Sequence, residues 1–268
     1  MKFFARKVVG LLLGALLLVC AWPAWQLYDE IRKAASEKPR VWEEDIAALE
    51  ARTASRAASD GIVFVGSSSI RLWSTLQRDM QPFSTIQHGF GGAKLADLEF
   101  YAERLVNAYR PRAIVVFAGT NDIHPGNTKP PETLLATYQR FVLRVRADLP
   151  DVPIYYIGIT PSPMRWEVWP IAQETNRLIR EHSSTRPALH FIDTGPALLG
   201  SNGEPDRDNY LFDGLHLSEA GYAIWTEIIR GRLLAELGVR WRGVPPSERR
   251  SYTQLSFGSA QRIPSAVL

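Results

Sequence analysis

Cysteine is nearly missing from this sequence: the single one, Cys20, lies in an apolar run near the N-terminus. The rest of the 268-residue chain has no thiol, which excludes a disulfide, a cysteine-ligated zinc site and a cysteine nucleophile there. Strong net charge is also missing, because 31 Lys and Arg residues face 28 Asp and Glu residues. The arginines are scattered or gathered at the chain ends, so the sequence does not predict a nucleic-acid-binding surface.

The sequence also shows no internal repeat and no sign of a second globular domain. With 46% hydrophobic and 22% charged residues, it has the composition and length of one well-filled α/β domain. Short β-branched or apolar runs, which we interpret as strands, alternate with longer helical periodicities. These runs are 62–65, 84–87, 113–118, 153–159 and 190–192. The alternation predicts a parallel sheet covered on both faces, with ligand sites beyond the carboxyl ends of its strands.

Residues 1–28 have the pattern of a membrane signal. Three basic residues come first: Lys2, Arg6 and Lys7. The run 8–28 holds no charge, and at ~1.5 Å rise per residue it would span a hydrocarbon core of roughly 30 Å. Positive charge before the run predicts that the body lies outside the cytoplasm, in the periplasm or the extracellular space.

The alternative to an anchor is a cleaved signal peptide, which would release a secreted protein. Val19 and Ala21 are acceptable small residues before a cut. Trp22, Trp25 and Tyr28, however, resemble an interfacial aromatic belt, and the apolar run leaves little polar region before a cleavage point. We therefore predict an uncleaved N-terminal membrane helix.

Two further segments flank the predicted domain at 61–238. Residues 29–60 are charged and alanine-rich, which predicts a helical spacer that packs on the domain. The apolar residues at helical spacing in this segment are Trp42, Ile46 and Leu49. Residues 239–268 hold several arginines, a proline pair and many small polar residues, and this composition predicts a basic, loosely ordered tail.

Asp213 stands three residues before His216, and this spacing lets the carboxylate fold back on the imidazole. If the carboxylate binds the Nδ1 proton, Nε2 is left free as a general base for a serine nucleophile. Ser218 is a predicted helix cap, which would place the pair on a loop at the mouth of a helix. Taken alone, the pattern fits a turn residue and an exposed loop histidine equally well.

The end of the first predicted strand holds three serines. Gly66 permits a tight turn, and the serines at 67–69 then meet a helix N-terminus, whose amides favour developing negative charge. A serine-rich helix cap is the plain alternative. After the second strand comes the glycine-rich turn 88–94, which lacks the residues required for a P-loop or a dinucleotide site. It remains a turn that donates backbone N–H groups.

The third predicted strand leads into Asn121, whose amide side chain can donate to an oxyanion. An Asx turn that closes the strand is the alternative. A serine, a glycine-rich turn, an asparagine and an Asp-x-x-His pair follow one another in chain order near successive strand ends. This conjunction is far more specific than any of its parts, and it predicts an acyl-transfer site.

These blocks resemble those of the SGNH hydrolases, also called GDSL-type lipases and esterases. The resemblance runs from about 62 to 237 and is greatest to the branch with the platelet-activating-factor acetylhydrolase catalytic subunits. It implies a flavodoxin-like three-layer α/β/α sandwich with a five-stranded parallel sheet. It also implies no cofactor and no metal.

The resemblance places the nucleophile at Ser68, the base at His216 and the residue that holds the base at Asp213. It implies an oxyanion hole formed by the backbone N–H groups of Ser68 and Gly92 and by the Asn121 side chain. Two departures from the family pattern lie outside this set. Ser67 stands where an aspartate is usual, and Gln87 stands where an asparagine is often found.

The function predicted from these residues is an extracytoplasmic serine esterase that acts on small acyl esters. Acetyl esters or O-acetylated sugars are the preferred candidates among them. The alternatives are an acyltransferase that moves the acyl group to a glycan hydroxyl, and a catalytically weak binding module. No long insertion or apolar lid separates the motifs, which predicts short acyl groups. Trp166 and Trp169 are candidates to wall the pocket, although packing explains them equally well. The Asp122 and His124 pair fits loop structure better than a metal site.

Overall fold

A computed structural model of the chain describes residues 25, 28–56 and 60–238. The predicted membrane helix at 1–28 lies almost wholly outside these described residues, and the predicted tail at 239–268 lies wholly outside them. Within the described ranges, no helix has the length and apolar character needed to cross a membrane.

Five parallel strands form the central sheet, which confirms the predicted α/β class. They are β1 (Ile62–Gly66), β2 (Thr85–Gly89), β3 (Ala113–Phe117), β4 (Ile154–Ile157) and β5 (Leu189–Ile192), in the order β2-β1-β3-β4-β5. The strand predicted at 153–159 is shorter than expected. The backbone N–H and carbonyl of Ile159 bond to the side chain of Asn176 at 2.8 Å each, so the chain has already left the sheet there.

Besides the helical residues 28–35, the described ranges hold eight α-helices, together with short 3-10 turns and a two-stranded hairpin, Ile123–His124 with Asn127–Thr128. The helices are α1 (Glu43–Thr53), α2 (Ser68–Arg71), α3 (Leu76–Asp79), α4 (Leu95–Phe100), α5 (Ala102–Leu105), α6 (Pro131–Asp148), α7 (Trp169–Ser184) and α8 (Glu219–Leu237).

The sheet separates two hydrophobic cores, because successive side chains of a strand point to opposite faces. In β1, Val63 and Val65 face the core shared with α1 and α4 to α7. Ile62 and Phe64 face the core shared with α2, α3 and α8, where Trp73, between α2 and α3, and Trp225 of α8 are buried. The result is a three-layer arrangement with helices on both faces.

Helix α1 belongs to the folded unit, since Trp42, Ile46 and Leu49 are all buried in the first core. A hydrogen bond of 2.9 Å joins Thr53 Oγ1 at its end to Nε2 of the fully buried His88 in β2. Burial lowers the pKa of His88 to about 4, so its ring is neutral near pH 7. The hydrophobic core therefore begins well before residue 61.

Candidate active site

The turn between β1 and α2 presents Ser68. The Ser67 backbone N–H donates to the Phe117 carbonyl at 3.0 Å, which holds the turn against β3. A Cβ atom on Gly66 would collide with that same carbonyl oxygen, so only glycine permits the close approach. Ser67 caps α2 in an extended conformation, and Ser68 is the first helical residue.

The Asp213 and His216 side chains complete a hydrogen-bonded chain that ends at Ser68. Asp213 Oδ2 lies 2.7 Å from His216 Nδ1, and His216 Nε2 lies 2.9 Å from Ser68 Oγ. Because an ionised carboxylate only accepts hydrogen bonds, the Nδ1 proton points at Asp213 and Nε2 is free to accept from the serine hydroxyl. The geometry is that of a nucleophile, a base and a residue that orients the base.

Backbone amides fix the Asp213 carboxylate independently of the imidazole ring. Oδ1 accepts from the N–H groups of Leu215 at 2.9 Å and His216 at 3.0 Å, which leaves Oδ2 for the imidazole. Burial acts to raise the pKa of Asp213, but the hydrogen bonds from His216 and the two amides outweigh it and hold the pKa below its usual range. The carboxylate is therefore charged where the imidazole needs it.

The catalytic loop, residues 213–216, is held by backbone hydrogen bonds. The Leu211 N–H donates to the His216 carbonyl at 2.7 Å, and the Met164 N–H donates to the Gly214 carbonyl at 2.9 Å. Ser218 caps α8 as predicted, with its Oγ accepting from Gly221 N at 3.3 Å. These bonds tie the loop to the residues before it, to the 3-10 helix Pro163–Val168 and, through Ser218, to the start of α8.

Asn121, at the end of β3, reaches across to the glycine-rich loop after β2. Its Nδ2 donates to the Ala93 carbonyl at 3.1 Å. An amide NH₂ group has two hydrogens, so this bond orients the second one without consuming it. Ser68 and Asn121 both line one narrow pocket; Gly92, in a left-handed conformation, does not line it and lies next to the Ala93 carbonyl to which Asn121 is bonded.

Several residues that support the site gave no clear signal in the sequence. Gln87 donates to the Ile70 carbonyl at 2.6 Å and to the Trp73 carbonyl at 3.0 Å, so it ties α2 to β2. Asp122, read as loop structure, is buried. Its Oδ2 accepts from Leu95 N at 3.0 Å at the start of α4, while burial raises its pKa. No group of three His, Cys, Asp or Glu suited to a metal ion is found in the described residues.

The two tryptophans suggested as pocket walls do not line the Ser68 pocket. Trp166 and Trp169 stack on each other instead, with centroids 6.2 Å apart, and Trp169 packs against the first core. The exposed apolar side chains that flank the catalytic loop are Leu211 and Phe212, immediately before Asp213. A pattern of tryptophans in the sequence did not distinguish mutual stacking from pocket lining.

Comparisons with known proteins agree with this geometry. A model of the GDSL-like lipase/acylhydrolase family matches residues 61–224. The platelet-activating factor acetylhydrolase IB subunit alpha1 of Mus musculus is 25% identical over 200 residues, which cover 71% of this chain and 82% of that protein. A GDSL-like lipase structure from Bacteroides thetaiotaomicron has a TM-score of 0.59 and 18% identity, covering 71% of this chain and 97% of that chain. A carbohydrate esterase family 3 structure from Talaromyces cellulolyticus has a TM-score of 0.52 and 15% identity, covering 65% and 97%. These two structures show the fold alone.

Proposed function

The chain belongs to the GDSL-like lipase/acylhydrolase family of ester hydrolases, and from that premise we propose that it cleaves small acyl esters, acetyl esters first, through an acyl-enzyme on Ser68. The match confirms the family resemblance read from the motifs. One observation supports the proposed nucleophile above all others. It is the continuous hydrogen-bonded chain from Asp213 through His216 to Ser68, at 2.7 and 2.9 Å.

The proposed reaction has two steps. Ser68 Oγ attacks the ester carbonyl carbon while His216 Nε2 accepts the hydroxyl proton, and the same proton then passes to the departing alkoxide as the ester bond breaks. The tetrahedral oxyanion is met by the backbone N–H of Ser68 and the free hydrogen of Asn121 Nδ2, which line the pocket, and by the backbone N–H of Gly92 from the adjoining loop. Water then attacks the acyl carbonyl carbon while His216 Nε2 accepts its proton; the bond to Ser68 Oγ breaks, Oγ takes that proton back, and the acid is released.

The narrowness of the pocket beside Ser68 supports a short acyl group over a long one. The pocket has room for about one water molecule. The buried hydroxyl oxygens of Thr120 and Ser162, which line it, have no hydrogen-bond partner in the described part of the chain. A long alkyl chain gains ~0.8 kcal/mol per CH₂ only where an apolar pocket receives it, and burial against unpaired hydroxyls costs free energy.

We expect kcat/KM to be highest for acyl groups of two to about four carbons. The measurement is a ladder of p-nitrophenyl esters from acetyl to palmitoyl with the purified full-length chain, with Ser68→Ala as the blank. A rate that climbs steadily to palmitoyl would contradict the short-acyl proposal. An acetylated oligosaccharide assayed beside the ladder tests the carbohydrate ester, which the likeness to a carbohydrate esterase structure supports.

Hydrolysis and acyl transfer differ only in what attacks the acyl-enzyme. The same assay, run with and without a sugar acceptor, therefore separates the proposed esterase from the acyltransferase alternative. Free acid in equal yield under both conditions supports hydrolysis. Acylated sugar formed at the expense of free acid supports transfer.

For location, we propose a membrane-anchored protein with its catalytic domain outside the cytoplasm, in the periplasm or the extracellular space. The uncharged run 8–28 behind a basic N-terminus supports this. So do Trp25, Tyr28 and Ile31, large apolar side chains that are spaced three apart and are 56%, 65% and 59% exposed. Intact protein should pellet with membranes, and protease added outside the inner membrane should cleave the body. Soluble protein that begins near Trp22 would indicate a cleaved signal instead.

A further inference from the structure

The segment 28–38, which precedes the hydrolase domain, lies directly on the glycine-rich loop 88–94, which carries Gly92. Gly92 has a φ of +68°, and a Cβ atom there would stand 2.5 Å from Ala34 Cβ, so the segment occupies the space that the missing side chain leaves. Glu30 Oε1 accepts from Arg71 Nη2 at 2.7 Å, at the end of α2. The segment therefore contacts both the loop with Gly92 and the helix that begins at Ser68.

Glu37 is the main polar link in this contact. Its Oε1 accepts from Lys94 Nζ at 2.7 Å and its Oε2 from Lys129 Nζ at 2.8 Å. Lys94 also donates to the Ser36 carbonyl at 2.9 Å, so both hydrogen bonds of its ammonium end in the segment. Burial acts to raise the pKa of Glu37, but hydrogen bonds from Lys129 and Lys94 lower it by more, which keeps the carboxylate charged.

Each lysine is linked to one proposed oxyanion donor. Lys94 follows Gly92 by two residues, and its side chain is only 4% exposed. Lys129 Nζ donates at 3.0 Å to Oδ1 of the buried Asp122, the neighbour of Asn121. The Glu37 carboxylate therefore connects the loop that carries Gly92 with the end of β3 that carries Asn121. The proposed oxyanion donors on these two segments must stay at a fixed separation.

We propose that Glu37 is a positioning residue for the oxyanion hole, acting through Lys94 on the Gly92 loop and through Lys129 on the end of β3. The proposal rests on the proposed acyl-transfer function of the Ser68 site. It adds a residue outside the 61–224 family match, on the segment that leads from the N-terminal apolar run into the hydrolase domain. Glu30, through Arg71, supports the same contact.

The exposure of Glu37 separates this role from a stabilising one. Its side chain is 54% exposed, and although Lys94 is buried, Glu37→Gln keeps one side-chain oxygen that can accept a hydrogen bond from the Lys94 ammonium, so we expect little change in the free energy of unfolding. Oxyanion donors, in contrast, act at hydrogen-bond distance, where a small displacement lowers the rate without changing ground-state binding. Loss of the Glu37 charge should therefore reduce kcat while KM and thermal stability stay unchanged.

The test begins with Glu37→Gln in the full-length chain, assayed with p-nitrophenyl acetate. We expect kcat to fall about tenfold, with KM within twofold of wild type and the melting midpoint unchanged. Glu44→Gln is the matched control, because it removes the same charge from an exposed position in α1. It should leave kcat unchanged.

A double-mutant cycle with Asn121→Ala asks whether Glu37 acts through the oxyanion hole. Effects of residues that act through one site are not additive. Glu37→Gln should therefore cost less than about threefold in the Asn121→Ala background. A full tenfold loss in that background, or a raised KM in place of a lowered kcat, would overturn the proposal.

Hydrogen exchange of the amides at 89–95 gives a readout that does not require activity. We expect faster exchange in Glu37→Gln than in wild type or Glu44→Gln, because the Lys94 ammonium loses its charged partner. Wild-type protein that cleaves no ester would contradict the proposed function. The exchange rates of the amides at 89–95 would still show whether Glu37 positions this loop. Equal exchange in all three proteins would overturn the positioning role, whatever the activity.

Discussion

Replacing Ser68 with alanine is expected to lower kcat by a factor on the order of 10³ or more. Its Oγ lies 2.9 Å from His216 Nε2, and the substitution removes this atom, which we propose forms the acyl-enzyme. What survives is the catalysis that substrate binding and the oxyanion hole supply on their own. Two measurements check this: kcat on p-nitrophenyl acetate, and labelling by a fluorophosphonate probe, which reacts only with an activated serine.

The neighbouring serines are matched controls, because both are buried in the same turn. Ser67 stands at the N-cap position of α2 without a side-chain capping hydrogen bond, and Ser69 accepts from Tyr222 Oη at 2.8 Å through its backbone carbonyl, so alanine leaves both arrangements in place. We expect modest losses for Ser67→Ala and Ser69→Ala. His216→Ala should fall about as far as Ser68→Ala, and the double variant no further, because the two act as a unit. Probe labelling that survives Ser68→Ala but vanishes in either neighbour would place the nucleophile one residue away.

Local patterns were sufficient to predict the hydrogen-bonded contact between Asp213 and His216. Asp213 and His216 are three residues apart, and their pairing depends on one tight loop, so their spacing in the sequence is also their geometry in space. The parallel sheet followed from the alternation of apolar runs and helical periodicities. Because parallel strands end at one edge, the strand-end position of Ser68 also predicted that it would meet this loop.

Contacts between distant segments could not be predicted in the same way. Gln87 was read only as a departure from a family pattern, yet it bonds to two carbonyls of the chain around α2. Asp122 accepts from the backbone of Leu95, 27 residues away, and Glu37 accepts from Lys94 and Lys129, 57 and 92 residues away. No window short enough to show a helix or strand period contains both partners of any of these contacts.

Apolar residues gave the least secure predictions. A tryptophan after a strand end is compatible with a pocket wall and with packing, because both bury the same ring. The structure decides between the two for Trp166 and Trp169: the 3-10 helix Pro163–Val168 ends just before Trp169, and the two rings stack on each other. The exposed Phe212 was missed because nothing in its flanking sequence separates an exposed loop phenylalanine from a buried one.

Changing Asp213 to asparagine should lower kcat by about 10³-fold or more, although the side chain keeps its shape. Oδ1 accepts from two backbone N–H groups, so the amide oxygen must occupy that position and the NH₂ group must face His216 Nδ1. The imidazole can then only accept at Nδ1, which moves its proton to Nε2. A protonated Nε2 donates to Ser68 Oγ and cannot take the hydroxyl proton.

The charge-matched control for this variant is Asp208→Asn, an exposed position in the same loop region, which should stay within about twofold of wild type. Steady-state kcat and KM on p-nitrophenyl acetate check both variants, and an unchanged KM is expected because the substrate does not need the carboxylate to bind. ¹⁵N spectra of the imidazole add a direct test, since the proton should move from Nδ1 to Nε2 in Asp213→Asn. Activity within tenfold of wild type, with the proton still on Nδ1, would show that another group orients His216.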